Sequence, residues 1–202
     1  MARSSGSSGG LSLREVQRET TRLSIVQAAG SCFRRQGFAA TTVEDIAQAA
    51  GTTRTTFYGH FKGKADVVAA LGESIVRETY LLYDELEAAV ASGQHDELSA
   101  WLARSFNFWE RAGTVIRAEE EAASIHPEVQ DRRGRMFQDG VDAIAKGLAK
   151  AGVSDQAGCR VRGLLAYSQL HILFQRWVRV GWDVDRDQVV EVMIDMWLAV
   201  FR

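Results

Sequence analysis

Apolar residues recur at three- and four-residue intervals along most of the chain, and strand-like alternation is rare, so the pattern predicts helices throughout. The clearest case is Val43, Ile46, Ala47 and Ala50. Thr41 or Thr42, followed three residues later by Glu44 or Asp45, supplies a capping-box start, predicting a helix over 42–50. Gly51 then stands where a sharp turn calls for positive φ, and Thr52 or Thr53 caps a second helix over 53–60. Upstream, a helix starting near Arg14 or Thr20 ends at Gln36, with Leu23, Val26, Ala29 and Phe33 facing inward and Gly37 as its stop. Downstream, a long helix over 66–90 closes at the Ser92-Gly93 turn. Further helices are predicted over 96–111, 114–125, 128–151, 155–180 and 185–201, with Pro127 in a first-turn position and Gly152 as a terminator.

The short 53–60 helix divides its residues in a telling way. Phe57 and Phe61, four apart, share a core face, which leaves Arg54, Thr55, Thr56, Tyr58 and His60 for a partner. Two short helices around a glycine turn, the second bearing such residues, form a helix-turn-helix pattern. Charge changes the picture further. The total is only −2, but residues 1–64 hold nine Lys/Arg (Arg3, Arg14, Arg18, Arg22, Arg34, Arg35, Arg54, Lys62, Lys64) against four acids (Glu15, Glu19, Glu44, Asp45). A basic head therefore precedes an acidic body, and double-stranded DNA would be drawn to one end. In a major groove, Arg54 would donate to guanine O6 and N7, and Thr55 would pack its methyl against thymine.

The run A-x-x-A-G-T-T-x-x-T-F-Y-x-H-F-x-x-K, read from Ala47 to Lys64 behind a helix ending near Gly37 and Phe38, resembles the TetR (tetracycline-repressor-like) family. The likeness covers roughly residues 19–66, a quarter of the chain. It implies an all-α fold: an N-terminal three-helix DNA-binding domain with the helix-turn-helix, and a C-terminal helical ligand-binding and dimerisation domain. The expected division is a flexible N-terminal arm over 1–18, a DNA-binding domain over 19–65 and an effector-binding and dimerisation domain over 66–202. By the same resemblance Thr42, Thr56, Tyr58, His60 and Lys64 would hold phosphates. Gly59 departs from the family, which usually has a bulkier side chain there against the DNA backbone, so one such contact is weakened. The implied function is a ligand-responsive regulator, a homodimeric repressor on a palindromic operator; a ligand-independent DNA-binding protein and an activator stay open as alternatives.

The body adds candidates of its own. Val189, Met193, Met196 and Val200 form one apolar stripe, and Leu164, Leu165, Ile172, Phe174, Trp177 and Val178 another, which suit both a core and a two-fold interface. Trp101, Phe106, Trp109, Phe137, Tyr167, His171, Phe174 and Trp177 are expected to wall an effector pocket for a small apolar or aromatic molecule. Asn107, Gln169, Tyr167 and His171 would supply its polar contacts. Glu119-Glu120-Glu121 reads either as a solvated helix face or as a partner for a cationic ligand.

Some classes are disfavoured. There is no nucleophile elbow, phosphate-binding glycine loop or paired catalytic carboxylate in context, so no enzyme and no cofactor is expected. His60, His95, His126 and His171 lack metal-ligand spacing. Two separated cysteines, Cys32 and Cys159, fit a reducing, cytoplasmic compartment, and no apolar run approaches the roughly 18 residues of a membrane span.

Overall fold

The computed structural model describes residues 12–181 and 183–201, and the described residues form eight helices and no strand. The expected arm over 1–18 falls largely outside them, but its last residues are helical. Ser12 caps α1 (Leu13–Ala40) in a capping box, accepting from the Glu15 N–H at 3.3 Å and donating its own N–H to Glu15 at 2.7 Å. Regular helix stops at Gly37, whose φ of 79° is left-handed. The buried face of α1 is Ile25, Ala28, Ala29, Cys32 and Phe33; Leu23, expected inside, is half exposed, and Ile25 takes its place.

Thr42 caps α2 (Val43–Ala49) through the Asp45 N–H at 3.1 Å. Gly51 turns the chain at φ 65°, and Thr53 caps α3 (Arg54–Tyr58) through the Thr56 N–H at 3.1 Å. The long α4 (Lys64–Ser92) follows, then α5 (His95–Ala123), α6 (Pro127–Lys150), α7 (Gln156–Val180) and α8 (Arg186–Phe201). One expectation is corrected here. The helices predicted over 96–111 and 114–125 are a single α5, because Gly113 is buried in mid-helix where α7 packs closely, its Cβ position 3.8 Å from Val178. Packing of an amphipathic face outweighs the weak helix propensity of one glycine, about 1 kcal/mol.

Two cores result. The head core contains Ile25, Phe33, Phe38, Ile46, Phe57, Phe61 and Val67, and it continues into the body through Ala118, Ala122 and Val129. The body core gathers Leu86, Leu98, Leu102, Phe106, Ile144, Leu148, Phe174, Ile194 and Trp197. Glycines on α6 and α7 allow close helix contact: a Cβ on Gly147 would sit 2.7 Å from the Glu87 carbonyl, and one on Gly163 2.6 Å from that of Val141. The head therefore rests directly on α4 and α5.

Candidate nucleic-acid interface and buried cavity

On α3, Phe57 is fully buried and Phe61 nearly so, which fixes the helix against the head core. Arg54, Thr55 and Tyr58 remain exposed on the other side. Arg54 at the first turn pairs with Glu44 of α2, and its guanidinium lies 5.6 Å from the centre of the Tyr58 ring. Tyr58 in turn stands edge-on to Phe57 at 5.5 Å. The hydroxyls of Thr42, Thr53 and Thr56 are engaged at the two caps, Thr53 and Thr56 meeting at 2.9 Å. His60 is half-buried, its N–H bonded to the Phe57 carbonyl at 2.9 Å. Gly59 has ordinary right-handed helical torsions at the end of α3, where an added Cβ would crowd the Thr56 carbonyl at 3.2 Å.

Lys64 behaves differently from the expectation placed on it. Its ammonium is turned inward and donates to the carbonyls of Thr41 at 2.5 Å, Phe38 at 2.7 Å and Ala39 at 3.4 Å, above the Phe38 ring at 4.5 Å. All three donors of the group are thereby used. Burial lowers its pKa from the ordinary lysine value. Lys64 thus clamps the corner between α1 and α2 and presents no free cation to a phosphate in this conformation. The Ala39 N–H at the same corner donates to Glu121 of α5 at 2.9 Å.

Glu121 belongs to the run that read as a solvated face or a partner for a cationic ligand; it is not a solvated face, and of the three Glu119 reaches the cavity wall. Glu119 is buried and accepts from Arg132 at 2.9 Å, with Arg133 3.9 Å away. Glu120 meets Arg133 at 3.4 Å and Arg179 at 3.2 Å. Three consecutive carboxylates therefore join α5 to α6, to α7 and to the head.

Beside this cluster lies a small cavity of about 50 Å³, partly open to solvent, walled by Ile75, Thr79, Phe108, Trp109, Ile116 and Phe137 among others. A deeper lobe reaches Trp101, Ser105 and Phe174. Of the expected walls, Trp101, Trp109, Phe137, Tyr167, His171 and Phe174 line these lobes. Three do not. Phe106 is fully buried against Phe174 and Trp177, Trp177 packs in the same core, and the exposed Asn107 accepts from Arg186 at 2.9 Å. Gln169 is also elsewhere, accepting from the Trp197 indole at 3.2 Å. The residues that sequence reading missed include Ile75, Thr79 and Tyr83 of α4, spaced four apart on one face, together with Ser105, Phe108, Ile116, Arg133 and Met136. Two hydroxyls at helical spacing on an apolar face of α4 were the available signal.

The cavity's polar groups have a definite order. Tyr83 donates to the Met136 carbonyl at 2.9 Å, so in the 2.7 Å contact between the two hydroxyls Tyr167 must be the donor. Burial, foremost, raises both phenols, Tyr167 to about 12. Burial and then the Arg133 charge push His171 down to about 4, so its imidazole is neutral near neutral pH. Gln175 Nε2 donates to His171 Nε2 at 3.0 Å, which places the imidazole proton on Nδ1.

Outside the core, α7 exposes Val161, Leu165 and Ile172, and α8 exposes Val192, Met196 and Val200. Among the described residues no helix is long and apolar enough to cross a membrane, and no group of three His, Cys, Asp or Glu is placed to hold a metal.

A glycine-turned helix pair on a helical body with a buried cavity defines a helix-turn-helix transcriptional regulator. Residues 25–71 match the family model of the tetR family of bacterial regulatory proteins. The chain is 28% identical over 200 residues to the HTH-type transcriptional regulator TtgR of Pseudomonas putida, covering 91% of this chain and 92% of the relative. Among solved structures it is similar to SmeT, the repressor of the Stenotrophomonas maltophilia multidrug efflux pump SmeDEF, at 25% identity and TM-score 0.66, covering 90% of each chain. A SmeT–triclosan complex matches at 26% identity and TM-score 0.66, over 89% of this chain and 90% of that one.

Proposed function

We propose that this protein is a homodimeric repressor that binds a palindromic operator through α3 and is released when a small apolar or aromatic molecule occupies the cavity between α4, α5, α6 and α7. The observation that carries the reading is the continuity of head and body: one helix, α5, lines the cavity with Trp109, Ile116 and Glu119 and bonds the α1–α2 corner through Glu121. Arg54 and Thr55 are the base readers of this proposal, and Thr42, Thr56, Tyr58 and His60 its phosphate contacts. The SmeT structure with triclosan supports a small-molecule effector. The exposed apolar stripes of α7 and α8 support a second copy as the covering partner, since large exposed apolar patches mark interfaces.

The test is to sequence genomic DNA fragments retained by the purified protein at physiological salt, where non-specific phosphate binding is weak. An enriched inverted repeat with half-sites about 34–36 Å apart, or a multiple of that, is expected. Unchanged sequence-specific binding by the double variant Arg54→Ala, Tyr58→Ala would refute the assignment of the reading residues.

A further inference from the structure

The cavity's hydrogen-bonding groups are unequally spent. Thr79 donates to the Ile75 carbonyl at 2.8 Å, and both phenols donate within the Tyr167–Tyr83–Met136 chain. Arg133, by contrast, makes one hydrogen bond, to Glu120 at 3.4 Å, and its second terminal nitrogen faces Glu119 only at 3.9 Å, beyond hydrogen-bonding distance. The Ser105 hydroxyl, 1% exposed in the deeper lobe, has no partner there at all. His171 keeps a donor on Nδ1. The unspent groups are thus mainly donors, in a space whose occupant must bring acceptors.

Charge points the same way. Arg132, Arg133 and Arg179 surround Glu119 and Glu120, three guanidinium groups against two carboxylates. The third carboxylate of the run, Glu121, is turned to the α1–α2 corner, where Lys64 adds a further cation. The one other carboxylate bonded near the tyrosines, Asp139, is held by the Tyr80 hydroxyl at 2.8 Å on the outer groove between α4 and α6.

We propose that the cavity selects aromatic ligands bearing an acidic oxygen, a carboxylate or an ionised phenol, whose ring lies among Trp109, Phe108 and Phe137 and whose oxygen accepts from Arg133. The inference rests on the cavity being the effector site. A cationic ligand is disfavoured because it would face Arg133 while Glu119 is already held by Arg132. Guanidinium-to-carboxylate hydrogen bonds are about twice as strong as neutral ones, so Arg133 is a specificity-determining residue.

The test uses three probes with one ring system: 2-naphthoate, 2-naphthamide and 2-naphthylmethylammonium, titrated calorimetrically into the full chain. Naphthoate is expected to bind about tenfold or more tighter than the amide, with the ammonium weakest. Arg133→Met should reduce naphthoate to the level of the amide while amide binding persists, and Arg133→Lys should restore part of the difference. Equal binding of the three probes, or an ammonium preference, overturns the acidic-ligand inference and leaves the effector site standing. No binding by any probe overturns both. A naphthoate preference that survives Arg133→Met places the acidic oxygen elsewhere and refutes the role of Arg133; the wild-type charge series stands independently should that variant fold poorly.

Discussion

Lys64 offers a sharp discrimination between a structural cation and a DNA-binding one. Replacing it by Met keeps an unbranched side chain of similar length and removes the ammonium from above the Phe38 ring together with its contacts to the carbonyls of Phe38, Ala39 and Thr41. Two of these are short, and a hydrogen bond from a charged donor is worth about 1.5–3 kcal/mol when partly buried. The site is half-exposed and water replaces part of the loss, so the expected cost is about 2 kcal/mol. For a chain of this size that corresponds to a fall in Tm of about 4–8 °C. A phosphate contact would have a different signature, because each one lost lowers the slope of log affinity against log salt by about 0.9. The assay is thermal unfolding by circular dichroism, paired with fluorescence anisotropy on operator DNA from about 50 to 200 mM salt. Lys64→Met should lower Tm and leave the salt slope intact, whereas Arg54→Ala should do the reverse. An unchanged Tm with a slope reduced by about 0.9 would refute the clamp and return Lys64 to the phosphates.

Three further outcomes are expected. Gly140→Ala puts a Cβ 2.3 Å from the ring of Tyr167, which is held by Tyr83, so denaturant unfolding should show a loss of about 1–3 kcal/mol despite alanine's better helix propensity; a stabilised variant would refute the tight α6–α7 approach. His171 has a depressed folded pKa, so the unfolded chain binds its proton first: stability is complete above about pH 6.5 and is lost as pH falls toward 4, by up to about 3 kcal/mol. His171→Gln should flatten that part of the pH profile in denaturant titrations, and an unaltered profile would mean that the imidazole is not held neutral. Arg14 and Arg18, four apart and exposed on the ordered start of α1, should contact phosphates, so Arg14→Ser with Arg18→Ser should lower the salt slope by up to about 1.8 without moving Tm.

The head was legible because its signals are local. Thr42 with Asp45, Gly51 and Thr53 each act within four residues, and all three do what their spacing implied. The α1 start was harder: Ser12 and Glu15 make a complete capping box that was overshadowed by the Ser/Gly composition just before it. The break expected near Gly113 failed because the deciding contact, Val178, is remote in sequence. The cavity followed the same rule. Its aromatic residues were visible by type, yet Phe106 and Trp177 could not be told from Trp109 and Phe137 without knowing which side of each helix meets a neighbour. Of the polar half only Tyr167 and His171 were legible, since the meaning of Glu119 depends on Arg132 and Arg133, one helix later, and that of Tyr83 on Tyr167, three helices later.

That same remoteness gives the carboxylate run its importance. Because Glu119, Glu120 and Glu121 are consecutive on one helix, they point in three directions about 100° apart, and a single element is bonded at once to α6, to α7 and to the α1–α2 corner. A rigid helix cannot yield at one of these residues without turning the others. In the proposed release, a ligand drawing Arg133 toward itself would weaken the hold on Glu119 and Glu120 and load Glu121, which accepts from the Ala39 N–H at the α1–α2 corner. Lys64 grips the same corner from α4, so under the proposed release a displacement of α5 relative to α4 would tilt α2 and α3. Two-fold operators tolerate little change in the separation of their reading helices, so a small rotation at this corner is the movement the proposed release requires.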